Sequence, residues 1–138
     1  MSENQPKQYE LYGFMNDERF KGLNTAIEYV DFFLTVKQDC LIKLDATELA
    51  LANAKINLEI QKSEILLETN FKSLYGKDNE SVRNSYIMQE CEELFWQIKD
   101  YQIDKKELLN QINILDGMIE ANMLLVNQQC DCDCNCGE

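Results

Sequence analysis

The sequence predicts an all-α fold: a long antiparallel helical hairpin of coiled-coil type that self-associates. Three observations lead there. No Gly or Pro interrupts the chain from Asn24 to Tyr75, which suits a very long helix and does not suit sheets and turns. Apolar residues recur at steps of three and four on both sides of one Gly-containing turn. The stretches flanking that turn match in length. Residues 80–129 fall opposite 26–75, arms of about 50 residues or roughly 75 Å at 1.5 Å per residue.

Residues 1–16 read as a polar leader with a small aromatic cluster, Tyr9, Leu11, Tyr12 and Phe14. Asp17 then suits a helix start, with Glu18 in the first turn where negative charge favours the dipole. The hairpin is expected over 17–129. Its first stripe is Phe20, Leu23, Ile27, Val30 and Leu34, continued by Leu49, Ala52, Ile56, Ile60, Leu67, Phe71 and Leu74, with Ser63 as a polar break.

The turn is expected at 76–79. Gly76 supplies the left-handed residue that closes a helix, and Lys72 and Lys77 suit its negative end. Asp78 or Asn79 then caps the next helix, with Glu80 in its first turn. A connection this short makes the two helices antiparallel. The second stripe is Ile87, Cys91, Leu94, Ile98, Tyr101, Leu108, Ile112, Leu115, Ile119, Met123 and Val126. Lys105 interrupts it once, and Gly117 marks a place for a kink. The alternative is a three-helix bundle with a break near Asp45, which would act as a cap and carry Phe32 and Phe33 back towards Phe95 and Trp96.

A two-helix hairpin has little interior, and these helices are apolar on more than one side. Val30, Phe32, Phe33 and Leu34 cover more than one stripe, as do Ile65, Leu66 and Leu67, and Leu94, Phe95, Trp96 and Ile98. A homo-oligomer would bury the surplus, and a docking face for another protein is the other use. Phe32, Phe33, Phe95 and Trp96 are the candidate residues for that face.

The net charge is −12, and after Lys106 no Lys or Arg follows. Such a surface repels phosphate, so direct nucleic-acid binding is not expected. Acidity serves solubility first, and beyond that it suits a basic protein partner. The absence of His removes the commonest general base and metal ligand. Pairs such as Asp100 and Asp104, next to Lys105 and Lys106, read as a solvated helix face. Neither a phosphate-cradling glycine loop nor a nucleophile elbow is present. The expectation is therefore a protein that is not an enzyme. No stretch is apolar enough to span a membrane, and the start MSENQPKQYELYGF lacks the order of a secretory signal, so a cytoplasmic protein is expected.

The chain closes on CDCDCNCGE, residues 130–138. Cys130, Cys132, Cys134 and Cys136 would share one side of an extended backbone, roughly 6.6 Å apart at 3.3 Å per residue. Thiolates select soft ions, so Zn or Cu(I) is the cofactor this tail would hold, best with tails of several chains together. The spacing resembles the Cys-x-Cys runs of metallothioneins over these seven residues. Asp131 and Asp133 would raise the empty thiols' pKa values and favour a bound cation. A flexible acidic tail without ligand is the plain alternative, and a metal-thiolate protein on an oligomeric scaffold or a structural spacer are the matching functions. Cys40 and Cys91, among apolar neighbours, read as buried structural thiols.

Arg83 falls in the first turn of a helix, where the dipole disfavours a cation, so it needs an acidic partner such as Glu80 or a residue across the turn. The tip residues Lys77, Asp78, Asn79 and Arg83 are thus a candidate interaction site. This turn, Leu-Tyr-Gly-Lys-Asp-Asn-Glu with Arg83 and Tyr86 following, resembles a pattern in small helical proteins from bacteriophage DNA-metabolism regions. The resemblance covers residues 65–115. It implies a phage or mobile-element accessory factor without catalytic activity; the acidic surface adds the expectation of contact with a basic, nucleic-acid-handling protein.

Overall fold

The structure, a computed structural model, describes residues 22–136, with side chains described as far as residue 128. Among these residues the regular structure is all helical: α1 (Ala26–Glu68), α2 (Phe71–Tyr75), α3 (Glu80–Glu90) and α4 (Glu92–Cys136). The expected start at Asp17 lies outside the described residues. Gly22 to Thr25 are not helical, and the Thr25 hydroxyl accepts from the Glu28 N–H at 3.3 Å, as a cap does.

The helix α1 runs 43 residues without a break. Asp45 lies inside it as an ordinary exposed helical residue, so the three-helix alternative is not realised. Its neighbours are good helix formers, and a cap needs a free backbone N–H that an unbroken helix does not leave. The helix α4 likewise passes through Gly117 unbroken, and the space where a Cβ would stand there is open. The helix α1 packs against α4 as a hairpin.

Two compact units divide the chain, one formed by the segments up to Leu44 and from Lys106, the other by Asp45–Lys105. In the first, Phe32, Phe33, Val36, Cys40 and Leu44 of α1 bury themselves with Ile112 and Leu115 of α4. Leu115 is fully buried. Lys37 meets Asp116 at 2.6 Å, and the Cys40 thiol donates to Gln111 Oε1 at 3.6 Å. Numbers rise on one helix as they fall on the other, so the arms are antiparallel. The expected register put Lys37 opposite position 118, two residues from its observed partner.

In the second unit Leu58 packs with Ile87 and Cys91, flanked by Ile65, Leu94, Phe95 and Ile98. Lys105, which interrupted the apolar stripe, reaches Glu48 at 3.7 Å. A lysine at such a seam position lays its stem on apolar neighbours and carries its charge out to a carboxylate on the other helix.

The buried seam of α1 is Ala26, Val30, Phe33, Cys40, Leu44, Leu51, Ala54 and Leu58. This corrects most of the first-arm stripe, of which Val30 and Phe71 are buried as expected. Ile27, Leu34, Leu49, Ile56, Ile60 and Leu67 are exposed, Leu67 by 86%. A helix with apolar residues on opposite faces carries two three-four patterns, and α4 covers only one of them. The second-arm stripe holds except at Met123, which is exposed: Ile87, Cys91, Ile112 and Leu115 are buried and Leu94, Ile98, Tyr101, Leu108, Ile119 and Val126 partly so.

Leu115→Ala empties a fully enclosed site and is expected to cost about 2–5 kcal/mol, whereas Ile27→Ala on the outward face costs less than about 1 kcal/mol. Urea unfolding of the two variants compares them directly, and equal costs would mean that the seam is misassigned.

Candidate functional site

The hairpin tip is built by caps. The chain leaves α1 at Thr69, and Asn70 Oδ1 accepts the Ser73 N–H at 3.0 Å to start α2. Gly76, at φ +74°, closes α2 with its N–H on the Lys72 carbonyl at 2.9 Å. Asn79 then caps α3, its Oδ1 accepting from the Val82 N–H at 2.9 Å. Arg83 pairs with Asp78 at 3.5 Å, the residue across the turn and not Glu80, and its Nε donates to the Asn79 carbonyl at 3.3 Å. Phe71 is buried under the tip, edge-on to Tyr86 with ring centroids 5.5 Å apart. Asp78, Asn79 and Arg83 are therefore engaged with the turn itself. Lys77 is exposed.

The four candidate aromatics separate. Phe32 and Phe33 are 5% and 4% exposed and belong to the core of the first unit, so they offer no interaction face. They are adjacent in sequence yet both buried. Phe95 is partly buried against the core of the second unit, and Trp96 is 56% exposed.

Trp96 lies in a groove of about 530 Å³ lined by Met88, Gln89, Glu92, Phe95, Trp96 and Lys99. The Lys99 ammonium stands 5.1 Å from the Trp96 ring centre, and Lys62 of α1 stands 5.8 Å from that of Phe95. The residues that line the groove lie on both sides of a local break in the helix. Cys91 departs from helical geometry (φ −103°, ψ 18°), yet its N–H still bonds the Ile87 carbonyl at 2.8 Å. Its thiol donates to Gln61 Oε1 on α1 at 3.7 Å. Burial pushes both the Cys91 and Cys40 thiols above their ordinary pKa; Lys62 and Lys43 oppose that, and Glu90 and Asp39 reinforce it. These are inert, protonated core thiols, as their apolar neighbours imply.

The backbone of α4 is helical to Cys136, not extended from Cys130. The side chains of Cys130, Cys132, Cys134 and Cys136 lie outside the described residues. Among those described, no three His, Cys, Asp or Glu side chains are placed to hold a metal ion. Among them, too, no helix is long and apolar enough to cross a membrane.

Sequence reasoning missed the breaks at Thr69–Asn70 and at Cys91. The first had a signal, since Thr-Asn before an aromatic is a capping sequence. The second had none beyond Cys itself, a weak helix former. Comparison with protein-family models, curated proteins and solved structures finds no match.

Asn79→Ala is expected to lower stability by about 1 kcal/mol, and Gly76→Ala by a similar amount because φ is positive there. Arg83→Ala, which removes an exposed ion pair, costs less than either. Thermal melts of the three rank them, and a larger loss for Arg83→Ala would overturn the reading of the turn.

The raised thiols also set a pH dependence. The unfolded chain loses those protons first, so their contribution is intact below the ordinary thiol pKa of 9.0. It fades as pH rises through that value towards the higher folded ones. The urea midpoint should fall between pH 8 and 10 (about that window) more steeply in the native chain than in Cys40→Ala. Parallel curves would mean that Cys40 is not the source.

Proposed function

We propose that this is a non-enzymatic helical interaction protein that acts by contact with a basic, nucleic-acid-handling partner. The observation that carries this reading is the groove around Trp96. Met88, Phe95 and Trp96 give it an apolar floor, while Glu90, Glu92, Glu93, Asp100 and Asp104 make the surrounding helix acidic. A basic amphipathic helix fits both properties. Its apolar residues would cover Met88 and Trp96, and its Lys and Arg side chains would meet the carboxylates. The Lys99 ammonium already stands over the Trp96 ring, so in this reading the partner covers that ring with apolar residues and keeps its cations for the carboxylates.

The net charge of −12 supports the same reading by drawing basic partners in and keeping phosphate backbones away. The turn's resemblance to phage accessory proteins supports a partner that handles nucleic acid. In this reading the acidic helices stand where phosphates otherwise would.

Trp96 is the one tryptophan in the chain, so its fluorescence reports the groove alone. Titration with a basic amphipathic helical peptide should shift its emission to the blue, with affinity falling as salt rises. By calorimetry, Trp96→Ala should weaken binding at least about tenfold with unchanged helicity. Binding indifferent to both salt and Trp96 would refute the proposal.

A further inference from the structure

Within the second unit, the outward face of α1 carries Leu49, Ala52, Ile56, Ile60, Ser63 and Leu67, all exposed. They follow at steps of three and four, so they share one side of the helix. Their sizes read large, small, large, large, small, large, which is the same order in both directions. A two-fold axis crossing the helix near Leu58 therefore sets Leu49 beside Leu67, Ala52 beside Ser63 and Ile56 beside Ile60 of another copy. Small residues then meet small ones, where the helices approach most closely, and branched apolar residues fill the layers between. A groove of about 510 Å³ already opens along Ile56, Ile60, Ser63 and Leu67, ready to receive such knobs.

The charges agree. Lys55 and Glu59 border this groove on the same flank. An antiparallel copy brings Lys55 of each chain towards Glu59 of the other, twice, where Lys62 of the same helix already meets one Glu59 oxygen at 3.3 Å. A parallel copy would bring opposite flanks together, and because Lys55 and Glu59 share one flank that pairing would be lost. Glu64, on the other flank, would meet the uncharged stretch about Ala52 and Asn53.

We infer that two copies of this chain associate antiparallel through the Leu49–Leu67 face of α1. This surface is distinct from the Trp96 groove, so either conclusion can fail without the other. The test uses the full chain. Sedimentation at about 100 μM should show a dimer. Carbodiimide cross-linking of mixed isotope-labelled and unlabelled chains should join Asp45 of one copy to Lys72 of the other. Within a chain, Asp45 stands roughly 35 Å along α1 from its end before Lys72, so a mixed-isotope link reports an antiparallel pair. Ile56→Lys should weaken the dimer about 100-fold with helicity unchanged by circular dichroism, since the residue is exposed in the single chain. Ile103→Lys, on α4, should leave it intact. A monomer at that concentration, a dimer indifferent to Ile56→Lys, or intermolecular links joining like positions only would overturn the inference. So would a chain that stays monomeric and binds a different protein at this face.

Discussion

An α-helix can present only one stripe to a neighbour, and which stripe α1 gives to α4 decides everything else about its surface. The choice falls on Ala26, Val30, Phe33, Cys40, Leu44, Leu51, Ala54 and Leu58. Two lysines sit at polar interruptions of the two seams and reach opposite ways, Lys37 from α1 to Asp116 and Lys105 from α4 to Glu48. Neither pair is buried enough to contribute much stability. Their value is in register. A shift of one residue swings every side chain by about 100° and would leave both cations without a carboxylate.

The same choice explains what the sequence made legible and what it hid. The second arm was readable because it has one dominant apolar stripe, from Ile87 through Leu115 to Ile119, and that stripe is the one that is covered. The turn was readable because Gly76 and Asn79 are residues whose conformational preferences are local. The first arm was not, because α1 carries two competing three-four patterns of similar strength. Periodicity reports that a face is apolar and is silent on which of two such faces meets a neighbour. Sequence reasoning chose the one with Leu49, Ile56 and Ile60, and the helix buries the one with Leu51, Ala54 and Leu58.

The aromatic candidates divided for a related reason. Apolar content alone cannot separate Phe32 and Phe33, which close a core, from Trp96, which stands in the open. Their neighbours separate them. Val30, Val36 and Cys40 continue the core around the two phenylalanines, whereas Trp96 is followed by Gln97, Lys99 and Asp100, a solvated face. The Cys91 break then adds what no pattern shows, a departure from helical geometry between Met88 and Trp96, two residues that line the groove. The C-terminal cysteines were conspicuous in the sequence, but conspicuous composition is not geometry. The backbone there continues α4, so a ligand set would have to be drawn from helical and not extended spacing.

A hairpin of this kind has a thin core, because each helix can be covered by one neighbour only. Leaving a second apolar strip on α1 exposed is unfavourable in an isolated chain unless the strip is covered by something. Scattered exposed leucines need no such explanation, since most surfaces contain them. What distinguishes Leu49 to Leu67 is order: the residues keep one side of the helix, and their sizes run large, small, large, large, small, large, the same in both directions about Leu58. Random exposure produces hydrophobic content without symmetry. An unrelated partner requires complementarity to its own surface, which has no reason to be palindromic. A second copy related by a two-fold axis requires the strip to be complementary to its own reversal, and of the three cases it is the one for which that order is a physical requirement.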